Sequence, residues 1–209
     1  MGARKRTSVR RKRSSTVAKR FAGNAVFLVG FMGAGKTSVG SALAGQMNWE
    51  FEDLDDRIEQ RERRTVAEIF RDSGEDAFRK AEHAALAQVV EELRGGVARV
   101  VALGGGAFVQ KENADLLLAA GVPTVFLDAP VEHLWERCNQ QAKASGAERP
   151  LLRSLEQFRK LYEERHKSYR KAGLKTQTAR RTVEAIASEI AKKLGLRKIV
   201  TRTEQGEVE

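Results

Sequence analysis

Residues 30 to 37, Gly30-Phe31-Met32-Gly33-Ala34-Gly35-Lys36-Thr37, satisfy the pattern G-x-x-x-x-G-K-[ST]. An apolar run, 25–29, precedes them and an amphipathic stretch, 37–47, follows, so the pattern sits between a strand and a helix. Glycines at 30, 33 and 35 let the backbone turn its N–H groups inward around a polyphosphate. The helix that starts there aims its positive end at the same anion. Lys36 is placed to reach β- and γ-phosphates, and the Thr37 hydroxyl to ligate Mg²⁺. A glycine-rich turn that binds nothing is the bland alternative, and the strand–loop–helix context disfavours it. We expect ATP at Gly33, Ala34, Gly35, Lys36, Thr37 and Ser38.

A second constellation follows the next expected strand. Asp53 ends it, in position to ligate Mg²⁺, and Asp55 can orient an acceptor hydroxyl and take its proton. Acidic capping of a helix N-terminus would explain both residues equally well. Farther on come Gly104-Gly105-Gly106, where bare backbone can approach a ligand. Gly74-Glu75-Asp76-Ala77-Phe78-Arg79 opens a long helix, with Glu82 one turn after Arg79. Arg149-Pro150-Leu151-Leu152 and Glu164-Arg165-His166-Lys167-Ser168-Tyr169 complete the set. Arg149 can supply transition-state charge in cis. Each arginine alone would pass for a solvated surface charge.

The elements that must position these residues alternate. Strands are expected at 25–29, 49–52, 97–103, 123–127 and 173–178. Helices are expected at 37–47, 56–63, 66–71, 75–94, 111–120, 131–138, 154–170 and 182–194. Thr65 with Glu68 forms a capping box, and Gly121 and Gly195 stand where helices should stop. Strands separated by helices imply crossovers, hence an α/β fold with a parallel five-stranded sheet and ligands at the strands' C-terminal ends. Two stretches break the rhythm. Residues 53–94 form a helical insert suited to an acceptor, and 139–153 read as a mobile lid.

The chain has 209 residues and a formal charge of +10, but the charge is local. Residues 1–20 hold nine Lys or Arg and no acid; removing those nine from 38 leaves 29 bases against 28 acids. The basicity belongs to a tail, 1–24, expected to be disordered, so any contact with nucleic acid is expected from the tail alone. The domain is expected over 25–196, with a frayed end at 197–209. No apolar stretch approaches the ~20 residues of a membrane span. The single cysteine, Cys138, offers no disulfide framework and fits a reducing cytoplasm. It is expected as an inert buried thiol. His83, His133 and His166 lack metal-ligand spacing and read as surface or packing residues.

Taken together and in this order, the Asp-x-Asp, Phe-Arg, Gly-Gly-Gly, Arg-Pro-Leu-Leu and Glu-Arg-x-x-x-Tyr segments closely resemble the shikimate kinase family, from Val26 to about Leu194. The resemblance implies the P-loop kinase fold and transfer of the γ-phosphate of ATP to the 3-hydroxyl of shikimate, with ATP and Mg²⁺ in the site and a cytoplasmic monomer. It implies that Asp55 holds the acceptor hydroxyl and that Arg79 and Arg165 pair with the shikimate carboxylate. Gly104, Gly105 and Gly106 would contact the ring, Asp53 and Thr37 would serve Mg²⁺, and Lys36 and Arg149 the phosphates. Arg137 would lie against adenine. The turn Ala179-Arg180-Arg181-Thr182-Val183 departs from the pattern in having no proline, and the lid is long. The alternatives are a related small-molecule kinase acting on gluconate, and a nucleotide-binding protein without kinase activity that uses the tail on RNA.

Overall fold

Strand β1 (Ala25–Val29) is buried along its whole length. A parallel strand covered by helices on both faces has no wet side to mark by alternation, so it reads as an unbroken apolar run. In the computed structural model, which describes residues 25–145 and 154–199, β1 is the centre of a five-stranded sheet. The order is β2-β3-β1-β4-β5, with β2 Glu50–Asp53, β3 Arg99–Ala102, β4 Thr124–Asp128 and β5 Leu174–Gln177. Every pairing is parallel.

The two edge strands, Glu-Phe-Glu-Asp and Leu-Lys-Thr-Gln, carry polar residues that discourage pairing with another chain. On β2 the glutamates are also neutralised in place. Arg99 of the next strand reaches Glu50 at 2.6 Å, Glu52 at 2.7 Å and Glu92 at 2.6 Å.

The helices are α1 (Lys36–Met47), α2 (Leu54–Glu62), α3 (Val66–Arg94), α4 (Lys111–Ala120), α5 (Val131–Ser145), α6 (Leu155–Tyr169) and α7 (Val183–Leu194). The capping box at Thr65 and Glu68 forms, and Gly121 and Gly195 take left-handed C-cap conformations. The pieces expected at 66–71 and 75–94 are the two halves of α3, separated by Gly74 at φ 80°, ψ 177°.

Three expectations are corrected. Helix α5 does not stop at 138 but continues to Ser145, so the first part of the expected lid is helical. Gln140, Gln141, Ala142 and Lys143 are good helix formers, and polarity there marks a solvated helix end rather than a loop. The C-terminal stretch is tied down as far as Ile199, whose N–H donates to the Met47 carbonyl at 2.9 Å. A short 3₁₀ turn, Ala107–Val109, follows the triple glycine where no element was expected. The basic tail, the rest of the lid with Arg149, and the chain beyond 199 lie outside the described residues.

The phosphate loop follows β1, Asp53 ends β2, the triple glycine follows β3, and all three strands run the same way. Parallel order therefore delivers them to one edge of the sheet. No helix among the described residues is long and apolar enough to cross a membrane.

Candidate active site

Between β1 and α1 the loop turns on glycines with positive φ, 76° at Gly33 and 90° at Gly35. Gly35 is the N-cap of α1 and contributes no side-chain cap, so the first amides of the helix face the loop. Beneath it lies α5: a Cβ on Gly33 would stand 2.7 Å from the Leu134 carbonyl oxygen and 2.9 Å from Cys138 Sγ. Cys138 is buried as expected. The Lys36 ammonium donates to the Gly30 and Phe31 carbonyls at 3.0 and 3.1 Å. Burial lowers its pKa from the ordinary value, while Asp55 and then Asp53 pull it back up. Ala34 is buried and Ser38 is exposed. Arg137 of α5 donates to the Gly33 carbonyl at 3.4 Å and the Thr178 carbonyl at 3.0 Å, bridging the loop and the end of β5.

Asp53 is shared between two tasks. Its Oδ1 caps α2 by accepting from the Asp55 N–H at 3.1 Å. Its Oδ2 accepts from the Thr37 hydroxyl at 3.0 Å. The capping role and the loop-side role, rivals on sequence grounds, coexist because a carboxylate has two oxygens. Asp55, two residues on, is pushed up to about 6, by burial first and by Asp53 second, against the pull of Lys36.

Facing Asp55 is the triple glycine. A Cβ on Gly104 would stand 2.6 Å from Asp55 Oδ1 and 3.4 Å from Glu82 Oε1, and one on Gly106 would stand 2.6 Å from Arg79 Nη1. Under 3 Å a neighbour must shift, so a side chain at Gly104 would displace the Asp55 carboxylate and one at Gly106 the Arg79 guanidinium. A Cβ on Gly105 would have Arg165 Nη1 as its nearest neighbour, at 3.6 Å. The structure thus brings Asp55, Arg79, Gly104, Gly105, Gly106 and Arg165 together from α2, α3, the β3 loop and α6.

Glu82 belongs with them, and the sequence offered no role for it beyond its place one turn after Arg79. It is fully buried, and Arg79 donates to its Oε2 at 2.9 Å. Arg79 also donates to the exposed Glu75 at 3.0 Å. Burial raises the pKa of Glu82 from the usual carboxylate value, with Arg79 opposing. Asp55 Oδ1 and Glu82 Oε1 are buried without a hydrogen-bond partner among the described residues. Two orphaned acceptors beside one glycine suit a ligand that brings hydroxyl donors. Two of the histidines expected as surface or packing residues pack: His83 bonds Asn113 at 2.7 Å, and His166 lies against the Tyr162 ring.

With this geometry in place, the likeness to known proteins is informative. The shikimate kinase family model matches residues 32–195. A shikimate kinase of Cereibacter sphaeroides is 40% identical over 183 residues, 86% of this chain and 87% of that protein. One of Thermus thermophilus is 42% identical over 172 residues, 81% of this chain and 89% of that protein. The shikimate kinase of Acinetobacter baumannii, solved in complex with shikimate, superposes with a TM-score of 0.73 at 32% identity, covering 85% of this chain and 96% of that one. Phosphate loop, paired aspartates, glycine loop and the two arginines lie together at one edge of the sheet, and the match spans nearly the whole described domain. The chain belongs to the shikimate kinase family.

Proposed function

We propose that this site carries out the family's ATP-dependent phosphorylation of shikimate, with Asp55 as the base and the two arginines as readers of the acceptor carboxylate. The pair of orphaned buried oxygens, Asp55 Oδ1 and Glu82 Oε1, supports this most directly. The loop amides and Lys36 hold the β- and γ-phosphates. Asp55 accepts the proton of the 3-hydroxyl as that oxygen bonds to the γ-phosphorus, while the bond from phosphorus to the bridging oxygen breaks and ADP leaves. A carboxyl with a pKa of about 6 is ionised at neutral pH and still basic enough to take the proton. Arg149 supplies transition-state charge from beyond the described residues, and Arg137 approaches the nucleotide from the Gly33 side.

Thr37 and Asp53 would hold Mg²⁺, which supplies charge neutralisation at the phosphates when bound. A hydroxyl and a carboxylate oxygen 3.0 Å apart beside the loop are hard donors of the kind that ion takes. Among the described residues no group of three or more His, Cys, Asp or Glu could hold a metal alone, which suits an ion that shares its shell with phosphates and water.

An ATP-coupled assay on shikimate and gluconate tests the reading: shikimate should be turned over far faster, and equal rates would sink the acceptor assignment. A sharper expectation concerns the arginines. Changing Arg79 or Arg165 to Lys should raise the shikimate KM about ten- to a hundredfold, the ~1.5–3 kcal/mol of a charge-assisted contact, and move the ATP KM little. Lysine keeps the charge but loses the planar fork. If both variants kept wild-type shikimate KM values, the carboxylate would be read elsewhere.

A further inference from the structure

Three successive glycines make a pliable backbone, yet the site needs them still. Their carbonyls show what restrains them. The Gly104 carbonyl accepts from the Ala107 N–H at 3.1 Å and the Gly106 carbonyl from the Val109 N–H at 3.0 Å, both within the local 3₁₀ turn. The Gly105 carbonyl is held from outside the turn. It accepts from the hydroxyl of Tyr169, 64 residues away at the end of α6.

Tyr169 is completely buried. Its ring packs on Phe126 of β4, with centroids 5.4 Å apart. Burial pushes its phenol up to about 12, with the charge of the nearby Arg165 guanidinium opposing. The hydroxyl therefore stays protonated, and a donor, at every working pH. Arg165 lies one turn before it on the same helix, over the Phe31 ring at 5.9 Å. Because the peptide between Gly105 and Gly106 is planar, holding the Gly105 oxygen also fixes the direction of the Gly106 N–H and the approach of Gly106 to Arg79.

We infer that Tyr169 is a positioning residue for acceptor recognition: its hydroxyl locks the Gly105–Gly106 peptide beside Arg165, so that glycine loop and guanidinium meet the acceptor as one surface. The inference rests on the acceptor-site reading above. It assigns the phenol no contact with substrate.

The test is a kinetic comparison of three full-length variants. Tyr169→Phe keeps the ring and its packing and removes one hydroxyl. It should raise the shikimate KM roughly fivefold or more, leave the ATP KM within about twofold and lower kcat less than it raises KM. Tyr162→Phe is the control on the same helix. It removes a hydroxyl donated to Asp128 at 3.1 Å, away from the glycine loop, and should leave the shikimate KM within about twofold. Arg165→Lys reports on the underlying reading. A shikimate KM raised by Arg165→Lys but not by Tyr169→Phe would overturn the inference and leave the acceptor site standing. Equal shifts in Tyr169→Phe and Tyr162→Phe would overturn it too, since general docking of α6 would then be the cause. An unmoved KM in Arg165→Lys would sink the acceptor reading itself, and this inference with it.

Discussion

Lys36→Ala should abolish measurable phosphate transfer and leave the melting temperature close to that of the parent. The ammonium is held over the loop by the Gly30 and Phe31 carbonyls, with Asp55 and Asp53 as its nearest opposite charges. It is thus fixed before substrate arrives, and a charge fixed in advance against the transferring phosphate needs no reorganisation at the moment of reaction. Removing one such group costs ~3 kcal/mol or more, at least about a hundredfold in kcat. The fold has little to lose, because Lys36 donates only to two carbonyls of its own loop among the described residues, and burial already disfavours its charged form. A coupled assay beside a thermal melt checks both halves. A variant that kept more than a tenth of the parent rate would remove Lys36 from the chemistry, whatever the loop's shape.

The legible parts of this protein were those where one residue type answers one local demand. The phosphate loop showed itself through glycines whose positive φ values, at 33 and 35, are needed for the turn. The central strands showed themselves through unbroken apolar runs. The capping box at Thr65 and the glycine C-caps are short-range chemistry, and they stand where expected. What pattern alone could not supply was the meeting of distant parts. Nothing in the spacing of Gly104 from Asp55, or of Gly106 from Arg79, says that each pair touches; the parallel order of β1, β2 and β3 brings them to one edge. Their assembly was readable in advance only because the segments resemble a family. Glu82 was hidden for another reason: a buried carboxylate looks the same in sequence as the exposed Glu75 two turns earlier. The start of the lid was misread because Asn, Gln and Lys mark solvent exposure, which loops and solvated helix ends share. Strand β2 looked weak because of its alternating glutamates, which are neutralised by Arg57 close by and by Arg99 far along the chain.

Asp55→Asn should lower kcat by about 10²–10⁴ and at the same time make the ligand-free protein more stable near neutral pH. The kinetic half follows from geometry: asparagine fills the same space beside Gly104 but cannot accept the hydroxyl's proton, while the phosphate loop is untouched, so ATP affinity should hold. The stability half follows from the environment of the carboxyl. Burial and Asp53 raise its pKa from 3.8 to about 6. A carboxyl whose folded pKa lies above its unfolded value is penalised when ionised. That penalty is absent below pH ~4, where both states are protonated, grows between ~4 and ~6, and is complete above. Two units at 1.36 kcal/mol each set an upper limit of about 3 kcal/mol, and partial solvent access reduces it to about 1–2. In a chain of this size that is roughly 2–8 °C in melting temperature. Melts of parent and variant across pH 4–8 should therefore coincide at the acid end and separate as the pH rises, with the variant higher. The parent's kcat/KM should fall tenfold per unit below pH ~6, because the free enzyme's base is then protonated. A variant that is less stable than the parent at pH 7 would mean that the ionised carboxylate is held by favourable contacts. One that loses ATP affinity while keeping kcat would move Asp55 from proton acceptor to ligand of the nucleotide's metal.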